Sequence, residues 1–509
     1  MRLNTISTLD LIYLNYKYFF VLQSFYKKHP LQLSLVAISG LGILWYIIYK
    51  ASSTCFTHDE SYTYTRYVHQ SFMDIISYKT PYTNNHILNT VLMKYSEVFF
   101  GSSELSLRLP NIFAFILYSV FSTLLFCKYS PNLVFPFYLL MVLNPYLLDF
   151  FALARGYGLS IGFLVMSLYY LSLHFTSKQN KHLILFNVGA FLAVMSNFSL
   201  LNYYMCALII YNVINYVAPK LESRNNPFHF FKLNKINILS VIISGMVLYE
   251  PLRRISKMSL LDFGGKNGFI EDTLGSVIYD FFYEMYVTPF YEIILKTIVL
   301  LVVALTTLLI IKNVVQKKND FFKTHITLVF ANLLLLALAI ITIMQHLILN
   351  NDYYVHRFAL FFYPLFILNF VFLLNYFVRS FSIVIISISY ICSFLAGFNI
   401  YINHATTSYK DWKFDSNAKV VMQKMVSEHE KYPNKQIQLG INWLFEPNTN
   451  FYRFTWDLKW LNPTHRNGIS KHDDYFYVLE TDTEFDSLAT NPIIYKDLVA
   501  NAVLFKNAN

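Results

Sequence analysis

Apolar runs of about 20 residues recur from residue 31 to residue 402, each long enough to cross a bilayer core of ~30 Å. A run in lipid must satisfy its own backbone hydrogen bonds, so these runs are helices. The ten-residue alternation of a membrane β-barrel is absent from them. Eleven spans are expected, near 31–50, 110–127, 131–149, 156–175, 183–198, 200–217, 237–252, 291–311, 325–347, 358–377 and 382–402. Only 14% of residues are charged, against about a quarter in a soluble domain.

Basic residues orient the spans. TSKQNKH, APKLESRNNPFHFFKLNK and KNVVQKKNDFFK carry Lys or Arg and fall on one side, the cytoplasmic one if the N-terminus is inside. The opposite loops NFSL and ILNNDYYVH carry none. Lys27 and Lys28 precede the first run as in a signal sequence, but LQLSLVAISGLGILWYIIY is long and lacks a small-x-small cleavage site, so it reads as a retained helix. The expected organisation is a membrane domain, 1–402, with outer loops at 51–109 and 253–290, and an extracytoplasmic domain, 403–509.

The net charge is +10. From Asn403 onward there are 12 basic and 13 acidic residues, so the excess lies in the membrane part. That placement suits orientation and anionic membrane lipids and points away from nucleic acid. Cys55, Cys127, Cys206 and Cys392 are scattered, with neither metal-type nor disulfide spacing.

The loop 51–109 reads as amphipathic surface helices, SYTYTRYVHQSFMDIISY and ILNTVLMKYSEVFF, with Pro110 in the first turn of the second span. The tail reads as a small α/β domain. DSNAKVVMQKMVSEHE is its helix, QIQLGINW and DYFYVLET its strands. WLFEPNTNFYR brings Trp443, Glu446, Asn450 and Arg453 together, more in the manner of packing than of a binding surface.

Asp59 and Glu60 form an acidic pair just beyond the first span. Such a pair is a solvated loop, a general base for an acceptor hydroxyl, or an oxygen ligand for a divalent cation at Asp59. Nearby aromatic residues would dry the site and raise carboxylate basicity. Asn84, Asn85 and His86 have the hydrogen-bonding groups to hold a sugar, or serve as turn and cap residues. Arg108, at the membrane border, reads as snorkelling. Against the positive-inside trend, Arg155, Arg253, Arg254, Lys257, Lys266, His356 and Arg357 fall on the outer side. Arg is the better bidentate phosphate partner, so Arg155 and Arg357 rank first for an anion, then Arg253 and Arg254, then Lys266.

HDE after the first span, NNHILN, GSSELSLRLPN, ARGYGLSIGF and HRFALFFYPLFIL occur in that order. The set, across roughly 30–402, resembles the protein O-mannosyltransferase and aminoarabinose transferase superfamily, glycosyltransferase family 39-like, in a bacterial form. The resemblance implies a GT-C fold and transfer of a sugar, with inversion, from a polyprenyl-phosphate carrier to an acceptor on the outer face of the cytoplasmic membrane. It places the catalytic base or metal ligand at Asp59, with Glu60 beside it. Many members have His-Pro-Pro-Leu where this chain has His86-Ile-Leu-Asn89, a departure that bears on His86 and on the acceptor. Other readings are a transporter or flippase, a polymerase or ligase of envelope glycans, and a non-catalytic scaffold. Transporters keep charged or broken-helix sites near the midplane, whereas the notable charges here cluster outside. No Gly-rich nucleotide fingerprint follows a strand, which favours a lipid-linked donor.

Overall fold

The computed structural model describes residues 26–220, 227–257 and 264–508. The basic stretch expected at 218–235 lies partly outside the described residues. Eight described helices are long and apolar enough to cross a membrane: Pro30–Ser53, Glu104–Tyr129, Gly156–Ser177, Phe198–Asn215, Asn234–Ile255, Pro289–Val315, Ile326–Leu349 and Ser382–Asn403. The expected span 131–149 is a bent pair of helices, Pro131–Val142 and Pro145–Phe151, meeting at 75°. Pro145 has no N–H to continue the first helix, and the Asn144 side chain caps the second by accepting from Leu147 N at 3.1 Å. The remaining two expected spans, 183–198 and 358–377, are shorter helices, Asn180–Ser196 and Phe362–Phe377, of 17 and 16 residues.

The second span begins earlier than its apolar run. Ser103 Oγ accepts from Ser106 N at 3.2 Å and starts the helix at Glu104, so Pro110 lies inside it and not in its first turn. That start draws Arg108 into the helix, where it is fully buried and does not snorkel. Between the first two spans, Ile87–Phe100 is the expected helix. The other expected helix is broken into His58–Thr63, a π-turn at Tyr64–Val68 and a short helix at Phe72–Ile76. Ser71 starts that last piece by accepting from Asp74 N at 3.1 Å.

After residue 403 come helices Ala418–His429 and Glu446–Thr455 and four strands: β1 Leu439–Ile441, β2 Tyr475–Leu479, β3 Ile493–Asp497 and β4 Ala502–Lys506. The sheet order is β1-β2-β4-β3; β1 is parallel to β2, and the other pairs are antiparallel. Tyr475 and Tyr477 of β2 face the helices while Phe476 and Val478 fill a smaller cluster behind the sheet, as a two-residue period requires. The helix-side core does not stop at the tail. Phe56, Tyr64, Val68 and Met93 from the connection between the first two spans, and Leu107 from the second span, share it with Met422, Phe451 and Tyr452. Phe56 stacks on Phe451 with centroids 4.3 Å apart, and the Phe56 N–H donates to Tyr452 Oη at 3.1 Å. The tail is thereby packed directly onto the segment that carries Asp59.

Candidate functional site

The sequence Thr57-His58-Asp59-Glu60 is a capping box. Glu60 N donates to Thr57 Oγ1 at 3.4 Å, and Thr57 N donates back to Glu60 Oε2 at 2.9 Å. The box turns Glu60 inward. Arg108 meets it with Nε to Oε1 at 2.9 Å and Nη2 to Oε2 at 2.7 Å, and both side chains are fully buried. Ala154 N adds a third donor to Oε1 at 2.6 Å. The other Arg108 donors reach the carbonyls of Ala51, Thr54 and Cys55, the C-terminal end of the first span. Glu60, expected beside Asp59 in the chemistry, therefore has both oxygens occupied by protein. It fixes three segments relative to one another and is not free to react.

Asp59 lies one position earlier on the same turn and points the other way. Its side chain is 18% exposed, with Oδ2 3.6 Å from Arg155 Nη2 and 3.9 Å from Arg357 Nη2. Burial pushes the carboxyl up, and the charges of Arg155 and then Arg357 outweigh that and hold it below the ordinary carboxylate value. The expectation of raised basicity is reversed, because the charges facing Asp59 are stronger than the drying effect of its aromatic neighbours.

Arg155 sits at the N-cap position of Gly156–Ser177. Its Nη1 donates to Asn84 O at 3.1 Å and Thr63 Oγ1 at 3.2 Å. Its Nη2 lies 3.1 Å from His86 Nε2, while His86 Nδ1 lies 2.8 Å from Ser196 O. A carbonyl only accepts, so His86 carries its proton on Nδ1 and presents Nε2 as the acceptor for Arg155. Burial, and then the Arg155 charge, push the His86 imidazole well below its ordinary value. Gly156 makes this possible: a Cβ there would collide with the Ser196 carbonyl and His86 Nδ1.

Arg357 comes from a turn, His356–Phe358, entered with His356 at a left-handed φ of 48°. Its guanidinium lies 5.2 Å over the Trp412 ring and 3.4 Å from Asp411, both contributed by the tail. The Nε atoms of Arg155 and Arg357 are buried with no partner among the described residues. Two guanidiniums thus converge on one carboxylate, each with an unused donor.

Of the other expected groups, Asn84 donates to Asp59 O at 2.9 Å, and Asn85 Oδ1 accepts from Thr90 at 2.9 Å. Asn84 and His86 position Arg155; Asn85 and His86 also line a cavity of about 350 Å³. Arg253 and Arg254 are drawn to Glu250, at 2.7 and 2.8 Å, and not to Asp59. Lys266 is exposed in its turn, and His356 lies 3.2 Å from Asp280, which also receives Lys410 at 2.6 Å. In the tail, Glu446 meets Arg466 and Asn450, and Arg453 donates to Leu461 O at 2.6 Å, so the stretch 443–453 is chiefly packed.

A divalent cation at Asp59 does not fit these residues. Two guanidiniums within 4 Å of the carboxylate repel it, His86 Nε2 is taken, and no cluster of three His, Cys, Asp or Glu suited to a metal occurs among the described residues. Sequence reading missed three participants. Thr57 was legible as the start of a T-x-x-E box. Arg108 as the partner of Glu60, and Asp415, whose Oδ2 accepts from His58 N at 2.5 Å, carried no local signal.

No protein-family model matches the chain, and no curated protein sequence matches it. Solved structures do match. ArnT from Cupriavidus metallidurans in the apo state, and the same protein bound to undecaprenyl phosphate, each align with a TM-score of 0.53 at 11% identity. Each alignment covers 94% of this chain and 98% of ArnT. The likeness establishes the fold: a multi-pass helical membrane protein of the GT-C type expected from the resemblance, with a small C-terminal sheet.

Proposed function

We propose that this protein is a membrane glycosyltransferase that moves a sugar, with inversion, from a polyprenyl-phosphate donor to a hydroxyl-bearing acceptor. The observation that carries this reading is the convergence of Arg155 and Arg357 on Asp59, with a guanidinium donor left over on each. The fold it shares with a protein crystallised with undecaprenyl phosphate supports a polyprenyl-phosphate ligand.

In this mechanism the donor phosphate sits between the two arginines. The acceptor oxygen forms a bond to the anomeric carbon, and the bond from that carbon to the phosphate oxygen breaks. Its electron pair leaves with the carrier phosphate, whose added negative charge the arginines stabilise. The acceptor proton goes to Asp59. Before the donor engages them the arginines keep Asp59 ionised, and a phosphate between them returns basicity to the carboxylate when it is needed. The membrane domain spans 1–402 and the tail 403–509, with the N-terminus cytoplasmic and the Asp59 face and tail on the outer side of the cytoplasmic membrane.

The test supplies radiolabelled polyprenyl-phosphate sugars to membranes containing wild type or Asp59→Asn. Label moving to a new product in wild type alone is expected. Equal turnover by the variant removes Asp59 from the mechanism.

A further inference from the structure

The cavity beside His86 has a polar wall with an uneven charge. Asn85, Asn197, Asn202 and Gln345 supply amides, and Tyr78, Tyr353 and Tyr354 supply ring surface and hydroxyls. Among the described residues no Lys or Arg lines it, and the carboxylate in its wall is Asp352. The amides are held in place: Asn202 and Gln345 bond reciprocally at 2.7 and 3.1 Å, and Asn202 donates to Tyr354 Oη at 3.1 Å.

Asp352 is positioned by the Gly-rich turn. Gly265 and Tyr353 exchange backbone hydrogen bonds of 3.0 and 2.8 Å, and a Cβ at Gly264 would collide with Asp352. Tyr353 stacks on His346 with centroids 4.3 Å apart, which holds the far side. Within this brace Asp352 Oδ2 is buried and has no hydrogen-bond partner among the described residues. The turn, singled out in sequence for Lys266, serves here to aim a carboxylate.

The cavity borders both phosphate cations, since it is lined by His86, the partner of Arg155, and by Phe358, the neighbour of Arg357. It also shares Leu201 and Leu252 with an almost wholly apolar groove of about 570 Å³ between the spans Phe198–Asn215 and Asn234–Ile255. A sugar on a lipid phosphate lies one bond from that phosphate, with its chain in an apolar slot. A cavity that carries fixed amides and is one side chain removed from each arginine, through His86 and through Phe358, suits that sugar.

Resting on the proposed function, we infer that this cavity holds the donor sugar, and that Asp352 accepts hydrogen bonds from its hydroxyls and turns away sugars that carry a carboxylate. Amides and a carboxylate accept from hydroxyls, while a second carboxylate beside Asp352 would be an unpaired like charge.

The test measures binding of the full chain in detergent to four lipids: undecaprenyl phosphate, its glucose and mannose conjugates, and its glucuronic acid conjugate. Wild type is expected to hold at least one neutral conjugate roughly tenfold more tightly than the bare phosphate, the scale of a charged hydrogen bond. It holds the glucuronic acid conjugate no more tightly than the bare phosphate. In Asp352→Asn the neutral preference shrinks, the glucuronic acid conjugate binds more tightly than to wild type, and undecaprenyl phosphate binds unchanged. Wild type that binds the carrier but does not rank neutral above anionic sugars overturns the inference alone, whatever the variant does. Failure to bind any of the four lipids overturns the functional reading with it.

Discussion

Arg108 grips Glu60 through two parallel hydrogen bonds in a pocket closed to solvent, and the same guanidinium holds the last carbonyls of the first span. Removing one partner strands the other as an uncompensated buried charge, at a cost of about 3–5 kcal/mol. Glu60→Gln and Arg108→Met should therefore both lower the Tm of the detergent-solubilised protein sharply. A Tm near wild type for either would mean that the pair does not organise the loop.

Asp59→Asn should behave differently. Its carboxylate is partly exposed and stands at 3.6 and 3.9 Å from its cations, so the fold loses little. Transfer should fall by at least ~10²-fold, the scale of a lost acid/base group. A Tm scan beside the transfer assay separates loss of chemistry from loss of structure.

Arg155→Ala and Arg357→Ala each remove a phosphate donor and should cost ~10²–10³ in rate. Arg357→Lys should recover little, because a point charge replaces a planar fork that also stacks on Trp412. Steady-state kinetics with the lipid donor varied reads this out. Full activity in Arg357→Lys would reduce the role of Arg357 to a simple charge.

Acid should weaken the fold before it silences Asp59. The His86 imidazole is held well below its ordinary value, first by burial and then by Arg155. Below about pH 6.5 the unfolded chain takes up a proton there and the folded chain does not. Stability is present above that pH and falls by about 1.4 kcal/mol per pH unit as it drops. Tm measured from pH 7.5 to 5 should decline, and less steeply in His86→Gln. Asp59, with its pKa lowered, should give kcat/KM an acid limb below the ordinary carboxylate value of about 4.

Gly156→Ala should abolish transfer without touching any charged group. The new methyl would occupy the space of the Ser196 carbonyl and His86, displacing the imidazole that supports Arg155. Activity within twofold of wild type would show that the Arg155–His86 contact is dispensable.

The spans, the Ile87–Phe100 helix and the first two tail strands were legible because each is written in a local pattern, whereas β3 and β4 were not expected. Asp59, Arg155 and Arg357 stood out as charges where charges are rare, and the fold brings both arginines within 4 Å of one Asp59 oxygen. Glu60 read as the twin of Asp59 because position alone does not distinguish two carboxylates; the capping box that turns it inward does. Arg253 and Arg254 read as site cations because their position on the outer side does not show that Glu250, one helical turn away, takes both. Contacts such as Arg108 with Glu60, or Asp415 with His58, join positions 48 and 357 residues apart and leave no trace in any window of sequence.

The packing of the tail onto the first loop has a consequence in time. Asp415 holds the His58 amide, Tyr452 the Phe56 amide, and Trp412 underlies Arg357. A ribosome that has reached residue 402 has made every membrane helix and still has not made the site. Nascent chains and products cut short before the tail would hold the membrane helices around an unfinished centre, so the site is assembled only after the tail has been made.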